Sequence, residues 1–176
     1  MGYHKTAILG IGNILRKDDG VGIHAINHLK GIGLPSEIML LDGGTAGLDL
    51  LHYLQGIKKL IVIDAILTDE KPGTIHILAP EEIKIRNNSG LPTHHTGVME
   101  TIEMASLLWG KIETVIIGIV PKDYFNYGME LTPDVSNAFE HVVDIVKREV
   151  YCLNTLPAVC PVNLPSHTAG LPFTTT

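Results

Sequence analysis

The stretch Ile8-Leu9-Gly10-Ile11-Gly12-Asn13-Ile14-Leu15-Arg16-Lys17-Asp18-Asp19-Gly20-Val21-Gly22 decides how the rest of the chain is read. An apolar run enters a glycine turn, and two acids then open a helix. The dinucleotide fingerprint G-x-G-x-x-G fails here, because Gly10 and Gly12 call for a third glycine at position 15, where Leu15 stands. The helix start is also wrong for phosphate, which needs bare N–H groups; Asp18 and Asp19 would repel an anion and attract a metal cation. One Asp can serve as the N-cap. Two adjacent acids cannot share one cap position, so the other carboxylate is expected to point into the crevice at the strand end.

Working outward, Thr6–Ile11 is strand one, and the helix behind Asp19 buries Gly22, Ala25, Ile26 and Leu29 at i, i+3, i+4 and i+7. Gly31 and Gly33 stop it. Residues 38–41 form a second strand that runs into Asp42-Gly43-Gly44-Thr45-Ala46-Gly47, with Thr45 the N-cap of a helix reaching Leu54 and ended by Gly56. Lys59-Leu60-Ile61-Val62-Ile63-Asp64-Ala65 is apolar without alternation, as a central parallel strand covered on both faces should be. It ends in a carboxylate, Asp64.

Too few residues follow Asp64 for a crossover helix, and Pro72-Gly73 marks a turn, so the strand at 74–78 is expected to run antiparallel at an edge. At about 3.3 Å per residue, 80–93 can return to the opposite edge. That path brings His94 and His95, which open the next helix, beside the strand ends carrying Asp19 and Asp64. This helix is expected to bury Val98, Ile102, Ala105 and Leu108. Strand five covers 114–120 and stops at Pro121. Thr132 and Pro133 then cap and start a last helix with Val135, Ala138, Phe139, Val142 and Val146 inward.

The alternation of strands and helices predicts an α/β three-layer sandwich: a five-stranded, mostly parallel sheet with one antiparallel edge strand and helices on both faces. Residues 1–150 form a single domain on this reading. Residues 151–176 hold four prolines and no Lys, Arg, Asp or Glu, and are expected to be a flexible or surface-laid tail outside the functional core.

Composition narrows the partners. A length of 176 residues is enough for one domain with a real core, and a formal net charge of −6 argues against nucleic acid. No apolar run reaches membrane-spanning length, and strand one begins too early to leave room for a signal peptide, so a soluble cytoplasmic protein is expected. Cys152 and Cys160 have neither a metal-ligand nor a C-x-x-C spacing, which speaks against a disulfide framework.

In open α/β sheets, ligands bind at the carboxyl ends of the strands near a topological switch point. Those ends offer Asp18, Asp19, Asp42, Asp64 and one of His94 and His95. Carboxylates with an imidazole suit nickel, zinc or manganese. Asp42 by itself reads as an acid shaping the glycine-rich turn. Asp64, ending an apolar strand, is costly to bury unless paired. Two carboxylates roughly 5 Å apart repel by about 3 kcal/mol at an effective dielectric of about 20, a penalty that a divalent ion between them removes.

Taken together, these segments resemble the maturation endopeptidases of [NiFe] hydrogenases. The matches run in order: Gly10-Ile11-Gly12-Asn13 with Asp18-Asp19-Gly20-Val21-Gly22, Asp42-Gly43-Gly44-Thr45-Ala46-Gly47, Ile63-Asp64-Ala65, Pro72-Gly73, Thr93-His94, Gly118 with Pro121, and Leu131-Thr132-Pro133. They span residues 6 to about 148, and the tail has no counterpart.

The resemblance implies a protease that removes a short C-terminal peptide from the precursor of a hydrogenase large subunit after nickel insertion. Nickel held by the substrate's cysteines is the recognition element. The metal-contacting and catalytic groups map onto Asp19, Asp64 and His94, with His95 an alternative to His94. Many members carry Glu at the first position; Asp19 is one methylene shorter. Asp42, Gly43, Gly44 and Thr45 would contact the substrate at the cleft mouth. The resemblance also implies a monomer that meets its substrate transiently.

No H-E-x-x-H, no G-x-S-x-G and no cysteine before Cys152 supports a standard zinc, serine or cysteine protease. A metal bridging enzyme and substrate could polarise the scissile carbonyl or activate water. A nickel-binding chaperone or checkpoint module would use the same ligands without cleavage, and a nucleotide-binding domain is a more distant third reading.

Overall fold

The computed structural model describes residues 5–82 and 94–151, with the side chains of 94–96 outside the description. The return path through 83–93, the side chains of His94 and His95, and the tail beyond Tyr151 therefore lie outside the described residues. The strands are β1 (Thr6–Ile11), β2 (Ile38–Gly44), β3 (Lys59–Ala65), β4 (Ile75–Leu78) and β5 (Glu113–Ile119). The α-helices are α1 (Val21–Gly31), α2 (His94–Trp109) and α3 (Pro133–Tyr151), joined by 3-10 turns at Lys17–Gly20 and Leu48–Leu54.

The sheet order is β2-β1-β3-β5-β4. β1 pairs in parallel with both β2 and β3, β3 pairs in parallel with β5, and β4 lies antiparallel on β5 at the edge. The antiparallel edge follows from the short link after Asp64, where Gly73 turns the chain at φ +83° and Thr74 N–H bonds back to Lys71 O. Every residue of β1 and β3 is buried, which explains their unbroken apolar runs.

Pleating sorts these strands into two cores. Ile8, Ile61 and Ile63 face α1 and α3, packing with Val21, Ile26, Leu29, Val142 and Val146. Ala7, Leu9, Leu60 and Val62 face the other way, onto Leu50, Leu54, Val98, Ile102 and Ala105. Helical layers thus cover both faces, the three-layer sandwich expected from the pattern. Asp64 continues the second face, two residues beyond Val62, at the end toward which α2 begins. α3 is pinned below by Lys59, only 7% exposed, whose ammonium donates to Glu149 Oε2 at 2.8 Å and to the Glu149 carbonyl at 3.3 Å.

Three local expectations need correction. Thr45 does not cap a helix: it is exposed, and the 3-10 segment begins at Leu48 behind Gly47 with no side-chain cap. The loop closes on its own backbone instead, through Ala46 N–H to Gly43 O and Leu50 N–H to Gly47 O. Leu108 is 58% exposed, because the buried stripe Val98, Ile102, Ala105 continues at i+4 to Trp109, which packs on the core. Neither Asp18 nor Asp19 caps α1, since the position before Val21 is Gly20, which makes no side-chain cap bond.

Gly22 lets the first turn of α1 lie directly on the sheet. A Cβ there would stand 2.3 Å from Ile63 O and 2.4 Å from Ile11 O, both backbone atoms that cannot swing away. Gly22→Ala should therefore destabilise the fold by about 3 kcal/mol, the upper end of overpacking costs. Urea unfolding midpoints compared at equal slope check this.

Candidate active site

β1 and β3 are neighbours, but the chain leaves β1 toward β2 and arrives at β3 from β2, so the switch point falls between them. The 3-10 turn Lys17–Gly20 lies over the end of β3 at this crevice. Gly12, at φ +122°, makes the close approach possible: a Cβ on it would overlap Asp19 O. The glycines that look like a phosphate cradle are filled by the chain's own backbone.

The two acids of this turn have separate fates. Asp18 is fully buried. Its Oδ2 accepts the N–H groups of Lys122 and Asp123, each at 3.0 Å, and the Thr132 hydroxyl at 2.8 Å; its Oδ1 accepts Thr132 N–H at 2.7 Å. Thr132 immediately precedes α3, and its carbonyl takes the Ser136 N–H as the first bond of that helix. The Asp18 charge thus sits at the positive end of the α3 dipole. Asp19 is only partly buried, with Oδ2 taking the Asn13 N–H at 3.0 Å. Asn13 is itself fixed by its Oδ1, which accepts Leu15 N–H.

Asp64 is 5% exposed, its Oδ1 accepting Ala65 N–H at 2.8 Å. It pairs in register with Gly118, and Ile63, one residue before it, pairs with Gly10. The backbone of His94 opens α2, whose first turn passes against the loop after β2: a Cβ on Gly47 would lie 3.6 Å from the Gly97 Cα. Asp19, Asp64 and the start of α2 are therefore carried to one end of the sheet. Among the described residues no group of three or more His, Cys, Asp or Glu could hold a metal ion, and the His94 side chain is not among them.

Asp42 Oδ1 accepts Gly44 N–H at 3.1 Å, so this acid shapes its own turn. Gly43 is buried against Ile11 and Leu9, Gly44 takes φ +50°, and Thr45 is exposed at the rim.

Residues 23–149, well over half of the chain, match the model of the hydrogenase maturation protease family. The chain belongs to that family. It is 35% identical over 146 residues to the hydrogenase expression/formation protein HupD of Bradyrhizobium diazoefficiens, covering 81% of this chain and 76% of that relative. It is 31% identical over 146 residues to the hydrogenase 2 maturation protease of Escherichia coli, covering 81% and 88%. The solved structure of the hydrogenase maturating endopeptidase HybD from E. coli superposes with a TM-score of 0.77 at 28% identity, over 85% of this chain and 93% of that one.

In this member of the family, the groups that sequence reasoning missed are the partners that immobilise the acidic turn. Besides Thr132 and the backbone of residues 122–123, Lys17 donates to Asp123 Oδ2 at 2.6 Å, and Asn126 bonds both Asp123 oxygens. The one available signal was the adjacency of Asp18 and Asp19, two acids that a single cap position cannot both serve.

Asp18→Asn replaces an acceptor oxygen with an NH2 that faces donors, and should lower stability by about 3 kcal/mol. Asp19→Asn, at a partly exposed position, should stay within about 1 kcal/mol of wild type. Chemical denaturation of the two variants side by side tests the division.

The Lys17 hydrogen bond, with help from Asn126, holds the Asp123 carboxyl well below the usual carboxylate range. With the folded pKa below the unfolded one, the unfolded chain binds the proton first as pH falls. The contribution is whole above about pH 4 and is lost as pH drops further. Asp123→Asn should accordingly be less stable than wild type by a constant margin from pH 5 to 8, a margin that narrows toward pH 3. Urea titrations at several pH values follow it.

Proposed function

We propose that this chain is an endopeptidase that removes a C-terminal peptide from the nickel-loaded precursor of a [NiFe] hydrogenase large subunit, with the nickel carried by the substrate serving as the recognition element. The observation that carries the reading is the unequal burial of the paired acids. Asp18 is buried against Lys122, Asp123 and Thr132, whereas the Asp19 carboxylate, which accepts the Asn13 N–H, stands partly exposed at the switch point beside the end of β3. Family membership supports the peptidase activity, and the placement of the acids supports the use of a metal cation for recognition.

On this reading Asp19, Asp64 and His94 are both the metal-contacting and the catalytic groups. Carboxylate and imidazole donors suit nickel that remains bound to thiolates of the precursor. Asn13 and the Gly12 turn help to set the direction of Asp19, and burial restrains Asp64, so these two carboxylates are in place for an incoming cation rather than assembled around it. Cleavage adds one water across the scissile C–N bond, the hydroxyl going to the carbonyl carbon and the proton to the leaving amine. Asp42, Gly43, Gly44 and Thr45 form the rim that the substrate passes. The enzyme acts as a cytoplasmic monomer and holds no nickel of its own at rest. Among the described residues no helix is long and apolar enough to cross a membrane.

Incubating the host's large-subunit precursor with wild type, Asp19→Asn, Asp64→Asn and His94→Ala, and reading intact mass, tests the proposal. Wild type should shorten the precursor at its C-terminus, and each variant should do so at least about 100-fold more slowly while remaining folded. Full cleavage by both acid variants would overturn it. So would a wild-type protein that binds the loaded precursor and leaves it whole, which is the behaviour of a nickel-binding chaperone.

A further inference from the structure

The turn that carries Asp19 also carries an apolar ledge. Phe125, Tyr127 and Met129 are 71%, 79% and 58% exposed, and Leu15 is 51% exposed. The two segments are stitched together: Gly128 N–H donates to Leu15 O at 3.0 Å, Lys17 N–H donates to Gly128 O at 2.8 Å, and Arg16 and Gly128 form an isolated parallel bridge. The Arg16 guanidinium lies 5.9 Å from the centre of the Tyr127 ring, and the rings of Tyr124 and Phe125 are 4.0 Å apart.

The exposure does not come from a loose loop. Asp18 grips residues 122, 123 and 132, so the segment is fixed at both ends, and the Lys17–Asp123–Asn126 cluster fixes its middle. Large apolar groups held rigidly in water mark a surface made to be covered.

We propose that this ledge docks an apolar patch on the folded body of the large-subunit precursor, next to the segment being cut; the inference rests on the proteolytic reading above. Three observations select that occupant. The ledge is continuous with the site, since Leu15 and Asp19 are four residues apart and the ledge is bonded to the strip between them. A body seated there has its position relative to Asp19 set by a turn that is hydrogen-bonded to residues 122, 123, 128 and 132. The exposed area is on the order of 500 Å², from side chains of roughly 150–250 Å² each. That falls short of the roughly 800 Å² per partner of a stable dimer and suits the apolar centre of a transient contact. Finally, two of the three cations at the ledge are matched from within, Lys17 by Asp123 and Lys122 by Asp134, and the third, Arg16, lies against the Tyr127 ring, so the ledge selects more for shape and apolarity than for an acidic partner.

The test uses the Phe125→Ser/Tyr127→Ser double variant and the host's nickel-loaded large-subunit precursor, with affinity read by calorimetry and cleavage by intact mass. The double variant should bind at least about tenfold more weakly and show a KM raised to match, with kcat within about twofold and an unchanged melting temperature. Tyr127→Phe, which keeps the ring, should bind like wild type. Unchanged affinity and KM in the double variant would overturn the docking surface while leaving the protease reading intact. So would a wild-type dimer that the substitutions dissociate in sedimentation, which would make the ledge a self-interface. Weakened binding of a precursor that wild type never shortens would keep the docking surface and overturn the protease reading. Absence of wild-type binding would overturn both.

Discussion

The Asp18 carboxylate is fully buried, and the groups that satisfy it come from residues 104 to 114 positions away. Taking a carboxylate out of water costs several kcal/mol, and each charge-assisted hydrogen bond returns only about 1.5–3 kcal/mol, so the burial is tolerable only when all four bonds form together. The positive end of α3 adds to that balance. Closing this set of bonds requires that the turn after β1, the segment after β5 and the start of α3 already be in place. The local geometry of the site is therefore a consequence of the complete fold.

That constraint explains how a short 3-10 turn can be a rigid platform. α3 is held at its first turn through Thr132 and near its last turn through the Lys59–Glu149 pair, at opposite ends of the sheet. The turn bonded to its start inherits that rigidity. Asp19, one residue along, accepts the Asn13 backbone N–H at 3.0 Å, which helps to set its direction. Adjacent acids thus stand in different settings, Asp18 buried as an anchor and Asp19 partly exposed at the switch point.

Much of this was legible in the chain itself. The unbroken apolar runs of β1 and β3 identified central strands, the short link through Pro72-Gly73 required an antiparallel edge, and the stripe Val135, Val142, Val146 located α3. Asp42 shapes its glycine turn as its residue type suggests. The division between Asp18 and Asp19 was not legible, because it depends on which acid lies over Thr132, a contact across most of the sequence. The start of the 3-10 segment escaped for a related reason: Thr45 has a capping side chain, but backbone bonds around Gly43 and Gly47 had already closed the turn. Leu108 followed the apolar count and not the direction of the stripe, which Trp109 completes. His94 was placed by topology and by the Thr93-His94 match, and its side chain, with the segment leading to it, lies outside the described residues.

The ledge and the acids share one scaffold, so docking and cleavage would be set by the same bonds. On the proposed reading, a demand for nickel in the substrate is what separates this protein from a general peptidase. The most direct measurement is the intact mass of one large-subunit precursor, prepared with and without nickel and incubated with this protein under identical conditions. Loss of a C-terminal peptide from the nickel-loaded form alone is the expected result. Equal shortening of both forms, or of neither, would contradict it.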